Sequence, residues 1–284
     1  MLPVRWAASI SRTMTAVFWI ICTPACAESA AGGSRGLGTE DQCRVTESLL
    51  ARCGVPLTAL NRLRSALKDL TSLGFEYPWN GLEEAVAAMP TKKLLLLGYG
   101  SLLNQESAAR TIKDVPADNF RPVLAVGAFR VFNYVIPTSR LQLDGANSGR
   151  ERAALNVVYT KSPAHLVNGR LVMVGLGDLD ALREREFGYD LRPVLCMQWS
   201  DWDSAPFIAY ILVAVHPSVD GRRVTDDSIL PNPAYARTCR AGANAVSEEF
   251  LELYLNTTYL SDRKTSLAVW ERIHPELIRD PHSD

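Results

Sequence analysis

The chain has no C-x-x-C pair, and its four histidines (165, 216, 274 and 282) stand far apart. Zinc sites built from Cys and His need ligands at short, fixed spacings, so no structural zinc site is expected. Long runs of one charge are also missing. Thirty basic residues face 31 acidic ones, for a formal net charge of −1. That balance argues against a dedicated nucleic-acid or membrane-surface binder and points to a small-molecule partner. No internal repeat is visible.

The N-terminus reads as an export signal. Arg5 and Arg12 supply a positive region, and the stretch MTAVFWIICT follows. At about ten residues it suits a signal peptide and is short for a bilayer span. Ala25-Cys26-Ala27 has the small-x-small cleavage pattern, so residues 1–27 are expected to be removed and the mature chain to begin at Glu28. The expected location is therefore periplasmic or secreted, with no stable membrane insertion after cleavage; an uncleaved membrane anchor is the alternative. In an exported protein, Cys43 and Cys53 could pair. Cys196 and Cys239 are expected to be buried apolar residues.

Residues 28–90 form a linker and a helical extension. Leu57, Leu60, Leu63, Leu67 and Leu70 recur at spacings of three and four, which predicts an amphipathic helix over 56–74 with Pro56 in its first turn and Gly74 as its stop. Beyond Leu94 the pattern changes to short strands at 94–99, 122–136, 153–159, 169–175, 192–199 and 206–215. Asn168-Gly169 predicts a turn between two of them. Short helices are expected over 178–187, capped by Asp178, and over 247–255. Many strands with a few helices predict an α+β domain over 91–265, its sheet curled or closed into a small mixed barrel with flanking helices. Residues 266–284 are read as a tail.

Two segments carry candidate chemistry. In the first, LLLLGYGSLL, a buried strand runs into Gly98-Tyr99-Gly100-Ser101. A Walker loop is excluded because no lysine follows Gly100 within the loop. The dinucleotide fingerprint fails at Leu103, and the nucleophile elbow fails at Tyr99 and Leu103. Two readings remain: a loop whose successive N–H groups converge on an anion, or an ordinary strand-to-helix turn in which Ser101 caps the following helix.

The second segment is GDLDALREREFGYDLRPV (177–194). Glu186 follows Leu179 by seven residues, about 20° away on a helical wheel, so it shares the inward face of Leu179 and Leu182. Glu184 falls about 140° away and faces solvent, as Arg183 and Arg185 are expected to do. A carboxylate directed into an apolar interior is held in its neutral form more readily, which suits a general acid or base. A structural ion pair with a neighbouring arginine, or a frayed helix end, is the alternative.

In this order and spacing, these segments resemble the gamma-glutamylcyclotransferase-like family, which includes the ChaC-type enzymes. The resemblance rests on YGSLL (99–103), FRVFN (129–133), AALNVVY (153–159), NGRLVMV (168–174), LREREFGYDLRPV (182–194) and YARTCRAGANAVSEEFLELYLNTTYLSD (235–262). It covers roughly residues 93–262. It implies Glu186 as the catalytic acid/base. Tyr99, Gly100, Ser101 and Leu102 would hold a glutamyl head group, and Tyr189 would line the pocket. The implied reaction is cyclisation of a γ-glutamyl compound to 5-oxoproline, with no metal or organic cofactor. A non-catalytic small-molecule binding module on the same scaffold, and a hydrolase using Ser101, are the competing readings.

Overall fold

The computed structural model describes residues 47–72, 79, 81–113, 120–137 and 149–275, all within one compact unit that spans residues 40–284. The expected signal segment, Cys43, Gly74 and the side chain of Leu70 lie outside the described residues. No helix among the described residues is long and apolar enough to cross a membrane.

Among the described residues, three helices precede the sheets: α1 (Glu47–Arg52), α2 (Leu57–Ser72) and α3 (Leu82–Ala88). Pro56 stands just before α2, its carbonyl accepting from the Leu60 N–H at 3.1 Å. Leu60, Leu63 and Leu67 are buried as their spacing predicts, and full burial of a leucine contributes about 1.5–3 kcal/mol relative to exposure. Leu57 departs from the expected face, with 47% of its surface exposed, because it sits in the first turn beyond the edge of the contact. Cys53 is a buried thiol, and the pairing with Cys43 that export would allow involves a residue outside the described ones. Burial, followed by the nearby Glu252 charge, pushes it up to about 11.

The sheets follow in chain order. Strand β1 (Lys93–Gly98) leads through a 3₁₀ turn (Ser101–Leu103) into α4 (Gln105–Ala109). Then come β2 (Pro122–Val126), β3 (Ala128–Val135), β4 (Glu151–Tyr159) and β5 (Leu166–Gly175). A 3₁₀ turn (Leu176–Asp178) and α5 (Leu179–Arg185) precede β6 (Asp190–Gln198) and β7 (Phe207–Val213). A small ribbon of β8 (Ser218–Val219) and β9 (Arg222–Arg223) is followed by β10 (Leu230–Pro231), α6 (Pro233–Asn244), α7 (Glu248–Asn256), β11 (Thr258–Leu260) and α8 (Leu267–Ile273). Leu267 and Trp270 of α8 are buried.

Five strands close a mixed barrel in the order β1-β5-β2-β6-β7. Its neighbours are antiparallel except at the closure, where β7 runs parallel to β1 with Leu96 opposite Tyr210. The leucines of β1 do not alternate with polar residues; Leu94, Leu96 and Leu97 are all buried, as expected of a strand covered on both faces. A second sheet has the order β10-β4-β3-β11. The α+β barrel with flanking helices and a helical N-terminal extension is therefore the observed architecture. Helix α2 packs on β6 and β2.

Two sequence expectations are corrected here. The apolar run 122–136 is not one strand. It breaks at Gly127, whose φ of +96° is open to glycine, so that β2 joins the barrel and β3 joins the second sheet. Asn168-Gly169 is not a turn but lies within β5. The buried Asn168 side chain accepts from Arg130 Nη2 at 2.7 Å and donates to the Phe250 carbonyl at 2.7 Å. This tertiary demand overrides the local turn preference of the pair.

Arg130 itself is fully buried on β3. It also donates to Thr258 Oγ1 at 2.8 Å and Thr257 Oγ1 at 2.7 Å, and lies over the Tyr254 ring at 4.3 Å. These contacts bind the second sheet to the barrel and to the end of α7. Burial lowers the proton affinity of its guanidinium, to a pKa of about 10.

Candidate active site

The glycine loop leaves the barrel where β1 ends. Tyr99 turns inward and its hydroxyl donates to the Leu212 carbonyl of β7 at 2.7 Å, anchoring the loop to the barrel closure. At Gly100 a side chain is excluded by close approach: a Cβ there would lie 2.4 Å from Tyr235 Oη. Ser101 does not cap the next helix. That role belongs to Asn104, whose Oδ1 accepts from Ser107 N–H at 3.0 Å. The Ser101 N–H, one of the amides expected to face a ligand, donates to Tyr235 Oη at 3.3 Å.

Glu186 is the C-cap of α5, with φ −98° and ψ 42°. Its side chain is only 15% exposed, and Arg185 Nε lies 3.1 Å from its Oε1. Arg185 does not face solvent as the helical wheel suggested. Its Nη1 donates to the Ser107 carbonyl at 2.6 Å and to Thr111 Oγ1 at 2.9 Å. Its Nη2 donates to Ser101 Oγ at 2.9 Å and Ser107 Oγ at 3.0 Å. The reason is the end of the helix: adjacent side chains diverge within a regular helix, and the cap conformation at Glu186 ends that divergence. Arg183 and Glu184 are exposed as expected. Asp178 precedes α5 without a side-chain capping bond; its Oδ1 accepts from Lys113 N–H instead, at 3.4 Å.

Two spaces with shared lining residues meet at this point. The inner one, about 20 Å³, is lined by Tyr99, Gly100, Ser101, Leu102, Glu186, Tyr189 and Tyr235, with Leu97, Gly98, Leu155 and Leu212 behind them. It holds little more than one water-sized group, such as a single polar end of a ligand. The outer cleft, about 530 Å³, falls within the range of small-molecule sites. Ser101, Glu186, Tyr189 and Tyr235 line both. All six site residues expected from the sequence thus surround the inner space.

The wall of the inner space is largely aromatic and neutral apart from Glu186, whereas Arg110, Glu184 and Arg185 add charge to the outer cleft. Tyr189 donates to the Leu155 carbonyl at 2.6 Å and stacks on Tyr134, with ring centroids 4.5 Å apart. Tyr134 in turn donates to the Phe187 carbonyl at 2.8 Å, fixing the backbone beside Glu186. Burial is the main cause that pushes the phenols of Tyr99, Tyr189 and Tyr235 well above their ordinary range, with the Glu186 charge adding to each. These phenols remain neutral hydrogen-bonding groups, and Glu186 is the carboxylate shared by both spaces.

The geometry weighs against Ser101 as a nucleophile. Its hydroxyl is held by a guanidinium, which has no lone pair with which to take a proton. Among the described residues, no histidine lines either space. No group of three or more His, Cys, Asp or Glu there could hold a metal ion.

Tyr235, Tyr134 and Arg185 are the site residues that sequence reasoning missed. Tyr235 sits on α6, 134 residues beyond Ser101, and no local spacing joins the two. A weak signal exists for Arg185, since an arginine next to a buried carboxylate is a natural partner for it.

No protein-family model and no curated protein matches this chain. Among solved structures, it is similar to one described as a gamma-glutamyl cyclotransferase, with 17% identity and a TM-score of 0.42 over 57% of this chain and 86% of the other. It is also similar to YkqA from Bacillus subtilis, with 13% identity and a TM-score of 0.41 over 62% of this chain and 56% of the other. A solution structure of an Arabidopsis thaliana protein is 17% identical, with a TM-score of 0.30 over 44% of this chain and 66% of that one. At these values the likeness is distant and carries no argument about activity.

Proposed function

We propose that this chain is a γ-glutamyl cyclotransferase in which Glu186 is the general acid/base. One observation carries the reading: Glu186 and the Tyr99-Gly100-Ser101-Leu102 loop, 84 residues apart from Leu102 to Glu186, line the same small cavity. A ligand's polar head in the inner space would lie beside both, with its remainder in the outer cleft.

The reaction needs only groups of this kind. The α-amine of the γ-glutamyl group attacks its own γ-carbonyl carbon, forming the ring C–N bond. The amide C–N bond to the leaving group then breaks, giving 5-oxoproline and a free amine or amino acid. Glu186 takes the proton lost by the attacking amine and delivers it to the leaving nitrogen, so no net proton is consumed. Polar groups of the loop, together with the Ser101 and Tyr235 hydroxyls, are suited to orient the head group and to stabilise charge developing on the carbonyl oxygen. Because the nucleophile is tethered, positioning supplies much of the rate.

A second reading has an observation in its favour. The Arg185–Glu186 ion pair is what a non-catalytic binding module on this scaffold would contain. Incubation with a panel of γ-glutamyl peptides, amino acids and amines separates the two, with 5-oxoproline as the product measured. Wild-type turnover that falls by about 10²–10⁴-fold in Glu186→Gln supports cyclisation. Equal turnover in both removes Glu186 from the mechanism, loss confined to Ser101→Ala favours a hydrolase, and binding without turnover favours the module. The proposal also puts this activity outside the cytosol, on the N-terminal signal pattern. Mass measurement of the mature protein should give an N-terminus at Glu28; an intact Met1 counts against cleavage.

A further inference from the structure

Arg185 has no part in the proton transfers assigned to Glu186, yet its guanidinium makes polar contacts with four residues, Ser101, Ser107, Thr111 and Glu186. Its five N–H groups have five acceptors within reach. Nε faces the Glu186 carboxylate at 3.1 Å. Nη1 and Nη2 divide between Ser101 Oγ, the carbonyl and hydroxyl of Ser107, and Thr111 Oγ1, at 2.6–3.0 Å. Three separate pieces of chain therefore meet on one planar group: the glycine loop, helix α4 with the turn after it, and the cap of α5.

We propose that Arg185 is a positioning residue, a clamp that sets the distance between the glycine loop and the Glu186 carboxylate. The inference rests on the cyclotransferase reading and deepens it. The loop follows β1 and Glu186 caps α5, so neither lies in a strand and no sheet ladder joins the two directly. The guanidinium spans the distance between them. Its fork matters as much as its charge: Nε faces Glu186 while the two Nη groups reach three hydroxyls and a carbonyl. An ammonium, being a single point donor, cannot hold both sides at once. With Arg185 only 15% exposed at its side chain, water competes poorly for these contacts.

The experiment compares wild type, Arg185→Ala and Arg185→Lys by 5-oxoproline formation and by hydrogen exchange of the amides of residues 99–112. Loss of the clamp should lower kcat/KM of Arg185→Ala by about 100-fold, the effect of an ångström-scale misplacement. Most of the loss should fall on kcat, and millimolar guanidinium ion should restore at least about tenfold by refilling the vacated site. Arg185→Lys should recover only a small part, since it returns the charge without the fork. Exchange over 99–112 should accelerate in both variants while the barrel amides stay protected.

A kcat in Arg185→Ala within about twofold of wild type, or full recovery by lysine, overturns the clamp. So does a loss of activity that guanidinium does not reverse in a protein with wild-type exchange over 99–112. Should Arg185→Ala fail to fold, the lysine variant decides alone: wild-type kcat and wild-type loop exchange refute the proposal. If wild type forms no 5-oxoproline from any compound, the cyclotransferase reading has failed, and the exchange comparison still determines whether Arg185 holds the loop.

Discussion

Replacing Gly100 by alanine adds one methyl group at the narrowest point of the site, and its cost can be worked out atom by atom. The new Cβ would lie 2.4 Å from Tyr235 Oη, a distance at which something must move. The hydroxyl cannot swing aside as a lysine end would, because it is rigidly attached to a half-buried ring packed against the core on α6. Overpacking of this kind costs about 1–3 kcal/mol, and displacement of Tyr235 sacrifices the Ser101 N–H bond, worth about 1 kcal/mol more. Once the hydroxyl is gone, the next atoms are Tyr235 Cζ at 3.6 Å and Leu155 Cβ at 3.7 Å, both ordinary contacts. Tyr235→Phe should therefore rescue Gly100→Ala. Alone, Tyr235→Phe should cost about 1 kcal/mol; the double variant should be more stable than the sum of the singles by about 1–2 kcal/mol. Urea melts of the four proteins, read as a double-mutant cycle, measure that coupling. Additive effects within about 0.5 kcal/mol would show that the hydroxyl is not what forbids a side chain at position 100.

Two further predictions concern the scaffold. Asn168→Ala removes both the acceptor for Arg130 Nη2 and the donor to the Phe250 carbonyl inside β5, and should destabilise by at least about 2 kcal/mol in urea; a change below about 1 kcal/mol would mean that water replaces the asparagine. Burial pushes the Cys239 thiol from 9.0 up to about 12, so it holds its proton in the folded chain at pH values where the unfolded chain has lost it. Its contribution is complete below pH 9.0 and is lost as pH rises toward about 12. Cys239→Ala should flatten the fall in unfolding free energy over that window, and an unchanged slope would exclude the thiol as a source of it.

Local pattern was enough to find most of the elements and the two segments that form the site. Leucines three and four apart marked α2. Short apolar runs bounded by glycine marked the barrel strands. The glycines after β1 marked a loop from which side chains had been cleared. Glu186 was identified by its seven-residue distance from Leu179, though α5 ends at Arg185 and the carboxylate reaches the cavity through its cap conformation rather than through the helical period. The same wheel turned Arg185 outward, for the same reason: a period describes residues within a helix and says little about those at its end.

Residue order alone established a strand-rich α+β chain, the places where its backbone lies bare, and one acidic side chain near its core, because these follow from spacing over a few residues. Tertiary structure decided the rest. It split 122–136 between two sheets at Gly127, closed the barrel by laying β7 beside β1, and brought Tyr235 against Gly100 and Arg185 between Glu186 and Ser101. Each of those contacts, apart from the Arg185–Glu186 pair, joins groups far apart along the chain, and even that pair took its direction from where a helix stopped. Such contacts depend on which surfaces bury one another, a property that no short stretch of sequence carries by itself.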